Sequence, residues 1–228
     1  MKVFVAVPSY DAKLTASCAQ SLFKAAHNCA LHGIELHPHF IHGGIFIDHV
    51  RSLIVQRFLE TDCTHLFFID ADIGFESDAL AGLVMSGFPV SAGIYTKRAT
   101  EDDLSGKTLF NAKVHEPQER VRDWLRMDCV ATGFMCIERR VLEIMSGFAK
   151  TIILDKEVPM VFHFSTDNGR FVGEDYSFCN DYNKLYEEKV FNEPIWAYPD
   201  INFDHDGFLG NLHESLSEGR DVREQIQA

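Results

Sequence analysis

Through the first hundred residues, short apolar runs alternate with segments whose apolar residues recur at helical spacing. This alternation restricts the chain to a small set of layered folds. Residues 3–7 form an apolar run stopped by Pro8, the pattern of a buried parallel strand. Residues 13–31 carry Leu14, Cys18, Leu22, Ala25, Ala26 and Cys29 at helical spacing, and Gly33 is placed to end that helix as its C′ residue. A second strand is expected over 34–41. Asp48 is expected to N-cap a helix reaching Leu59, with Val50, Leu53, Ile54 and Phe58 on its inner face. The unbroken run 65–69 reads as a central strand. Ser77 reads as the cap of a short helix through Leu80, Leu83 and Val84, and 89–92 as a fourth strand. Parallel neighbours need crossover helices, so this order predicts a doubly wound α/β sheet.

The second half is less regular. Residues 108–114 and 124–132 read as antiparallel strands, 138–148 as a helix and 201–204 as a short late strand. Residues 174–189 read as an amphipathic helix with Phe178, Cys179, Tyr182, Leu185 and Tyr186 on one face. Weak periodicity over 150–170 reads as a mobile loop, and the charged stretch from Glu214 as a fraying end. With 228 residues, 46% of them hydrophobic, the chain suits one large domain, two small ones being the alternative.

The formal net charge of −13 repels polyanions at long range and excludes a general nucleic-acid binder. Arg51, Arg57, Lys97 and Arg98 nevertheless stand as local cations near the candidate site. The six cysteines include no CxxC pair and no zinc-ligand spacing, and no secretory leader is evident. Reduced thiols in a cytoplasmic compartment are therefore expected. No apolar run approaches the ~20 residues of a transmembrane helix.

The strand 65–69 ends in Asp70-Ala71-Asp72. Ligands of open α/β sheets bind beyond the carboxyl ends of strands. Residues two apart in extended chain point to one side, so both carboxylates are expected to face one cleft. Two anions there call for a cation, and a hard divalent ion accepts carboxylate and phosphate oxygens together. A turn or helix-cap role is the alternative. Glu174 and Asp175 open the strongest helix of the second half, either as favourable first-turn carboxylates or as groups that meet an acceptor hydroxyl. His205 follows Ile201 and Phe203 on one face, as a buried hydrogen-bonded side chain or as a metal ligand. Arg51, a cation in a first helical turn, needs a partner, either Asp48 or a phosphate. Lys97 and Arg98 follow the fourth strand, solvated or reaching a diphosphate. His37, His39, His42 and His49 cluster without an evident metal geometry, and Tyr10 and Trp124 are rings for stacking or for packing.

Taken in order, several segments resemble GT-A glycosyltransferases, especially the small single-domain type of large DNA viruses, phages and bacteria. They are Val5-Ala6-Val7-Pro8-Ser9-Tyr10, Asp48-His49-Val50-Arg51-Ser52-Leu53, Leu66-Phe67-Phe68-Ile69-Asp70-Ala71-Asp72-Ile73, and Ala131-Thr132-Gly133-Phe134-Met135 followed by Arg139-Arg140-Val141. Gly173-Glu174-Asp175 and His205-Asp206-Gly207 complete the order, which covers about residues 1–210. Two departures stand out: Arg51-Ser52 occurs where many relatives have Arg-Asn, and 150–170 matches nothing in the pattern.

The resemblance implies a three-layer sandwich with a mostly parallel central sheet and a smaller antiparallel portion on the acceptor side. One catalytic domain would span 1–212, with a nucleotide-sugar-binding half at 1–100, an acceptor-side half at 101–212 and a charged tail at 213–228. Pro8, Ser9 and Tyr10 would line the nucleotide pocket, with Arg51 on the nucleotide and Asp70 and Ala71 by the ribose or metal. Lys97 would approach the diphosphate, and Gly133 would leave room beneath the sugar. Asp72, with Asp70 and His205, would hold Mn²⁺ or Mg²⁺. Asp175 would be the base of an inverting transfer, and Glu174 would hold acceptor hydroxyls. The donor implied is a UDP- or GDP-sugar, and the acceptor an unidentified glycan, protein or other hydroxyl. The rival readings are a nucleotidyltransferase and a non-catalytic nucleotide-sugar-binding module. The former usually carries a glycine-rich phosphate loop after its first strand, which Pro8-Ser9-Tyr10-Asp11 lacks.

Overall fold

The computed structural model describes residues 1–44, 46–97, 110–154, 156–205 and 208–210. In chain order the elements are β1 (Lys2–Ser9), α1 (Ala16–Leu31), β2 (Glu35–His42), α2 (Ile47–Leu59), β3 (His65–Ile69), β4 (Ile73–Phe75), α3 (Ala79–Val84) and β5 (Val90–Gly93). There follow β6 (Ala112–Val114), β7 (Arg120–Val121), β8 (Trp124–Val130), β9 (Phe134–Glu138), α4 (Arg139–Phe148), β10 (Thr151–Ile153) and β11 (Glu157–Pro159). The chain continues through β12 (Ser165–Asp167), β13 (Arg170–Val172), α5 (Glu174–Glu187), β14 (Ile195–Tyr198), β15 (Phe203–His205) and β16 (Phe208–Gly210). Arg98, Asp206, Gly207, the tail 213–228 and the first two residues of the expected strand 108–114 lie outside the described residues.

Local chemistry explains the helix ends. The Thr15 hydroxyl accepts the Cys18 N–H at 3.2 Å and so starts α1 later than periodicity alone predicts. Gly33 follows the His32 cap at φ +68, the left-handed C′ conformation expected of it. Two expected caps are corrected. Asp48 lies inside the first turn of α2 behind Phe46, and Asp78 precedes α3 in place of Ser77. Short polar residues one or two positions from a helix start carry nearly the same signature.

Among the described residues nine strands form one sheet, ordered β2-β1-β3-β9-β5-β14-β8-β6, with β7 on β8. β9 and β8 run against their neighbours and the remaining strands share one direction. The sheet is thus mostly parallel with a smaller antiparallel portion. Alternate residues of each central strand enter opposite cores. Phe4, Ala6, Leu66, Phe68, Met135 and Ile137 meet α2, α4 and α5, whereas Val3, Val5, Phe67, Ile69, Phe134 and Cys136 meet α1 and α3. Three layers follow from this alternation.

The expected strand order requires a correction. β9 inserts between β3 and β5, so the fourth parallel strand does not adjoin the third. Phe134, Met135, Cys136 and Ile137 are all buried, and such a run is satisfied only with neighbours on both edges and both faces. The short β4 was also unexpected, and 150–170 is two hairpins, β10–β11 and β12–β13, in place of a mobile loop. Three-residue strands are too short for alternation to register. All six cysteines are buried and none forms a disulfide. Among the described residues no helix is long and apolar enough to cross a membrane.

Candidate functional site

The end of β3 is built as a pinned turn. Asp70 N–H donates to Gly133 O at 2.9 Å, and Ile73 N–H returns to Asp70 O at 3.2 Å. Thr15 N–H donates to Ala71 O at 2.9 Å, which ties the start of α1 to the same turn. Asp70, Ala71 and Asp72 therefore line one cleft of about 490 Å³ with Pro8, Ser9, Tyr10, Asp11 and Thr15. Both carboxylates reach it through this turn and not through strand alternation, because β3 stops at Ile69. Ser9 Oγ is held within its own loop, donating to Lys13 O at 2.8 Å and accepting from Lys13 N–H at 3.0 Å. The Tyr10 ring is 78% exposed beside the cleft.

The antiparallel pairing of β15 with β4 sets His205 opposite Ile73, one residue from Asp72. His205 Nδ1 lies 2.6 Å from Thr96 O. A carbonyl only accepts, so Nδ1 carries a proton, and in the neutral imidazole Nε2 is the nitrogen with a free lone pair. Nε2 is 3.8 Å from Asp72 Oδ2, too long for a hydrogen bond. A carboxylate and an oriented imidazole nitrogen are a donor pair that suits a divalent ion. Mg²⁺ in particular is usually held by one or two carboxylates plus substrate phosphates. Among the described residues no group of three or more His, Cys, Asp or Glu is arranged around one metal position. Asp70, on the same cleft, is also drawn to a cation.

Its partner is Arg51. Arg51 Nη2 lies 3.3 Å from Asp70 Oδ1, and Arg51 Nη1 donates to Glu174 Oε1 in a buried ion pair. Arg51 is 6% exposed and Glu174 8%. The Arg51 cation, expected in the first turn of α2 but placed just past it, is matched by carboxylates from the turn after β3 and from α5, and Asp48 makes no ion pair with it. Arg51 and Glu174, expected at the nucleotide and the acceptor, each have their charged ends engaged by this bridge. Burial pushes the Glu174 and Asp175 carboxyls above their ordinary values, against the pull of Arg51. Asp175 Oδ1 accepts its neighbour's Tyr176 N–H at 2.8 Å.

Sequence reasoning gave no role to Tyr95 or Thr96. Tyr95 is 3% exposed, its hydroxyl accepts Gly133 N–H at 3.1 Å, and its ring stands edge-on to His205 with centroids 5.3 Å apart. Nothing in the stretch Ile94-Tyr95-Thr96 marks these roles, which arise from contacts across the sheet. Gly133 has a local reason to be glycine: a Cβ there would overlap the Tyr95 hydroxyl and lie 2.6 Å from Asp70 Oδ2. Gly133→Ala is expected to cost about 1–3 kcal/mol of stability, read from urea unfolding, because the buried Tyr95 has no room to retreat. An unchanged midpoint would refute this packing argument.

Other candidates fall elsewhere. Lys97 follows Thr96, whose carbonyl anchors His205. Trp124 packs against Phe88 and Tyr198, and His39 stacks on Phe4 at 3.7 Å on the edge strand β2. His37 pairs with Glu35 at 3.0 Å.

No protein-family model matches the sequence, and no curated protein matches it. The chain is similar to a glycosyltransferase involved in the glycosylation of the major capsid of PBCV-1, at 14% identity over 63% of each chain and TM-score 0.33. It is also similar to S. aureus TarS 1-349, at 13% identity over 86% of this chain and 58% of that one, TM-score 0.45. A third is GalNAc-T7 with UDP, GalNAc and Mn²⁺, at 12% identity over 91% and 45%, TM-score 0.47. The chain spans 45% to 63% of the lengths of these structures. At these identities and TM-scores, nothing about the reaction carries over from them.

Proposed function

We propose that the chain transfers a sugar from a nucleoside-diphosphate donor to an acceptor hydroxyl. The observation that carries this reading is the pairing of two arrangements at the end of one strand. Asp72 lines the cleft, and the oriented Nε2 of His205 lies 3.8 Å from its carboxylate. Asp175, made more basic by burial, shares the charged neighbourhood of Arg51 and Asp70. The exposed Tyr10 ring stacks on the donor base, with Pro8 and Ser9 as the wall of the nucleoside pocket. Lys97 approaches the diphosphate, and Asp70, Ala71 and Gly133 border the ribose and sugar. Asp72 and His205, with Asp70, would hold a Mn²⁺ or Mg²⁺ ion, which would supply positive charge against the departing diphosphate.

The acceptor oxygen forms a bond to the anomeric carbon, the bond from that carbon to the phosphate oxygen breaks, and Asp175 takes the hydroxyl proton. Attack from the face opposite the leaving group inverts the configuration. Glu174, neutralised by Arg51, positions α5 so that Asp175 faces the acceptor.

A panel of UDP- and GDP-sugars with Mn²⁺, scored for slow hydrolysis and for product, tests this reading. Release of a nucleoside diphosphate supports it. Release of a sugar-1-phosphate makes the chain a nucleotidyltransferase, and tight binding without turnover makes it a binding module. Asp175→Asn is expected to lower transfer about 100-fold or more. A base works only when ionised, and burial raises the pKa of Asp175. The rate therefore climbs with pH through a limb above the ordinary carboxylate range, and that limb is missing in Asp175→Asn. An identical pH profile in the two proteins removes Asp175 from the role.

A further inference from the structure

A second cavity, of about 660 Å³, lies between α4, the β10–β11 hairpin and the C-terminal half of α5. That volume is in the range of small-molecule sites, about 300–1,000 Å³. Its apolar walls are Phe148, Ile152, Met160 and Phe164, and its polar groups are Lys150, His163, Asp181, Lys184 and Glu188. Cations and anions are mixed evenly, so the cavity selects no ligand of strong single charge. Donors and acceptors interleaved with aromatic walls suit a ligand with many hydroxyls and apolar C–H faces. His163 and Asp181 stand side by side in this lining, Nδ1 3.9 Å from Oδ2.

One helix, α5, serves both this cavity and the neighbourhood of Asp175. α5 begins at Glu174, and Asp181 stands six residues past Asp175, about 9 Å along the helix axis. Phe171 is 71% exposed and lies against Phe164, centroids 5.1 Å apart, so an aromatic ledge runs from the β12–β13 hairpin before α5 to the cavity wall. Ser165 Oγ and Ser177 Oγ, 2.6 Å apart, fasten that hairpin to the first turns of α5.

We infer that the acceptor is a neutral oligosaccharide whose reacting end lies at Asp175 and whose remaining units cross the Phe171–Phe164 ledge into this cavity. The inference rests on the transferase reading. It explains why the segment 150–170 departs from the family pattern: these residues shape the acceptor side and not the donor cleft.

The test uses the full chain and four probes, maltotetraose, cellotetraose, chitotetraose and mannotetraose, each compared with its monosaccharide by calorimetry and saturation-transfer NMR. At least one tetrasaccharide is expected to bind about tenfold tighter than its monosaccharide. Phe164→Ala and Lys184→Ala are each expected to weaken that binding by about tenfold. In transfer assays the same variants raise KM for the tetrasaccharide and leave slow donor hydrolysis unchanged. If none of the four binds better than its monosaccharide, or the two variants bind it normally, the inference is overturned. Binding in the cavity without any effect on transfer to the tetrasaccharide also overturns it. Donor titration in the same protein separates the two readings. A donor that binds and hydrolyses while every oligosaccharide fails sinks the acceptor inference alone, whereas a donor that does not bind sinks the transferase reading.

Discussion

Asp72→Asn is expected to lower metal-supported sugar transfer by about 100-fold or more, because cation-centred stabilisation of a departing diphosphate is worth several kcal/mol. The fold should survive, since the Asp72 side chain is 22% exposed at the cleft and asparagine keeps its size and shape. Two readouts separate the effects. Urea unfolding should give a midpoint close to the parent's, and Mn²⁺ titration with UDP present should show weakened ion binding. Near-normal turnover in this variant would remove Asp72 from the metal role.

Arg51→Met should cause the largest stability loss of any single change at the site, about 3–5 kcal/mol. The reason is what it leaves behind. Glu174 is 8% exposed, and Asp70 is drawn to the same guanidinium, so removing the cation strands a buried carboxylate. The double variant Arg51→Met with Glu174→Leu is expected to recover much of that loss, since a buried ion pair replaced by apolar groups is often near neutral in stability. It is not expected to recover transfer, because Asp70 and Asp175 lose the charge that sets their neighbourhood. Unfolding midpoints of the two single variants and the double variant measure the coupling. A small loss in Arg51→Met alone would show that the bridge is solvated and not structural.

Much of this architecture can be read from residues close together in the chain. β1, β3, α1 and α5 are long enough for their apolar spacing to register, and Gly33 and Asp70-Ala71-Asp72 sit where local rules put them. β9 and β4 are different. Phe134–Glu138 follows β8 after a short turn and precedes α4 directly, so its apolar residues merge with their neighbours' patterns. Its place between β3 and β5 is a pairing of strands distant in sequence.

The site divides in the same way. The candidate carboxylates Asp70, Asp72 and Asp175, and His205, are legible as residue types at strand ends and helix starts. What each does with its charge depends on partners far away in the chain. Arg51 meets Glu174 at a separation of 123 residues, and His205 meets Thr96 at 109. Sequence alone determined the α/β layering and the strand end that bears the acidic pair, because hydrophobic period and turn chemistry act over a few residues. Only the tertiary structure decided that Arg51 pairs with the buried Glu174 and with Asp70, that Tyr95 and Gly133 brace Asp70, and that His205 turns its Nε2 toward Asp72. Those outcomes follow from burial and hydrogen-bond satisfaction, which exist only after distant segments have met.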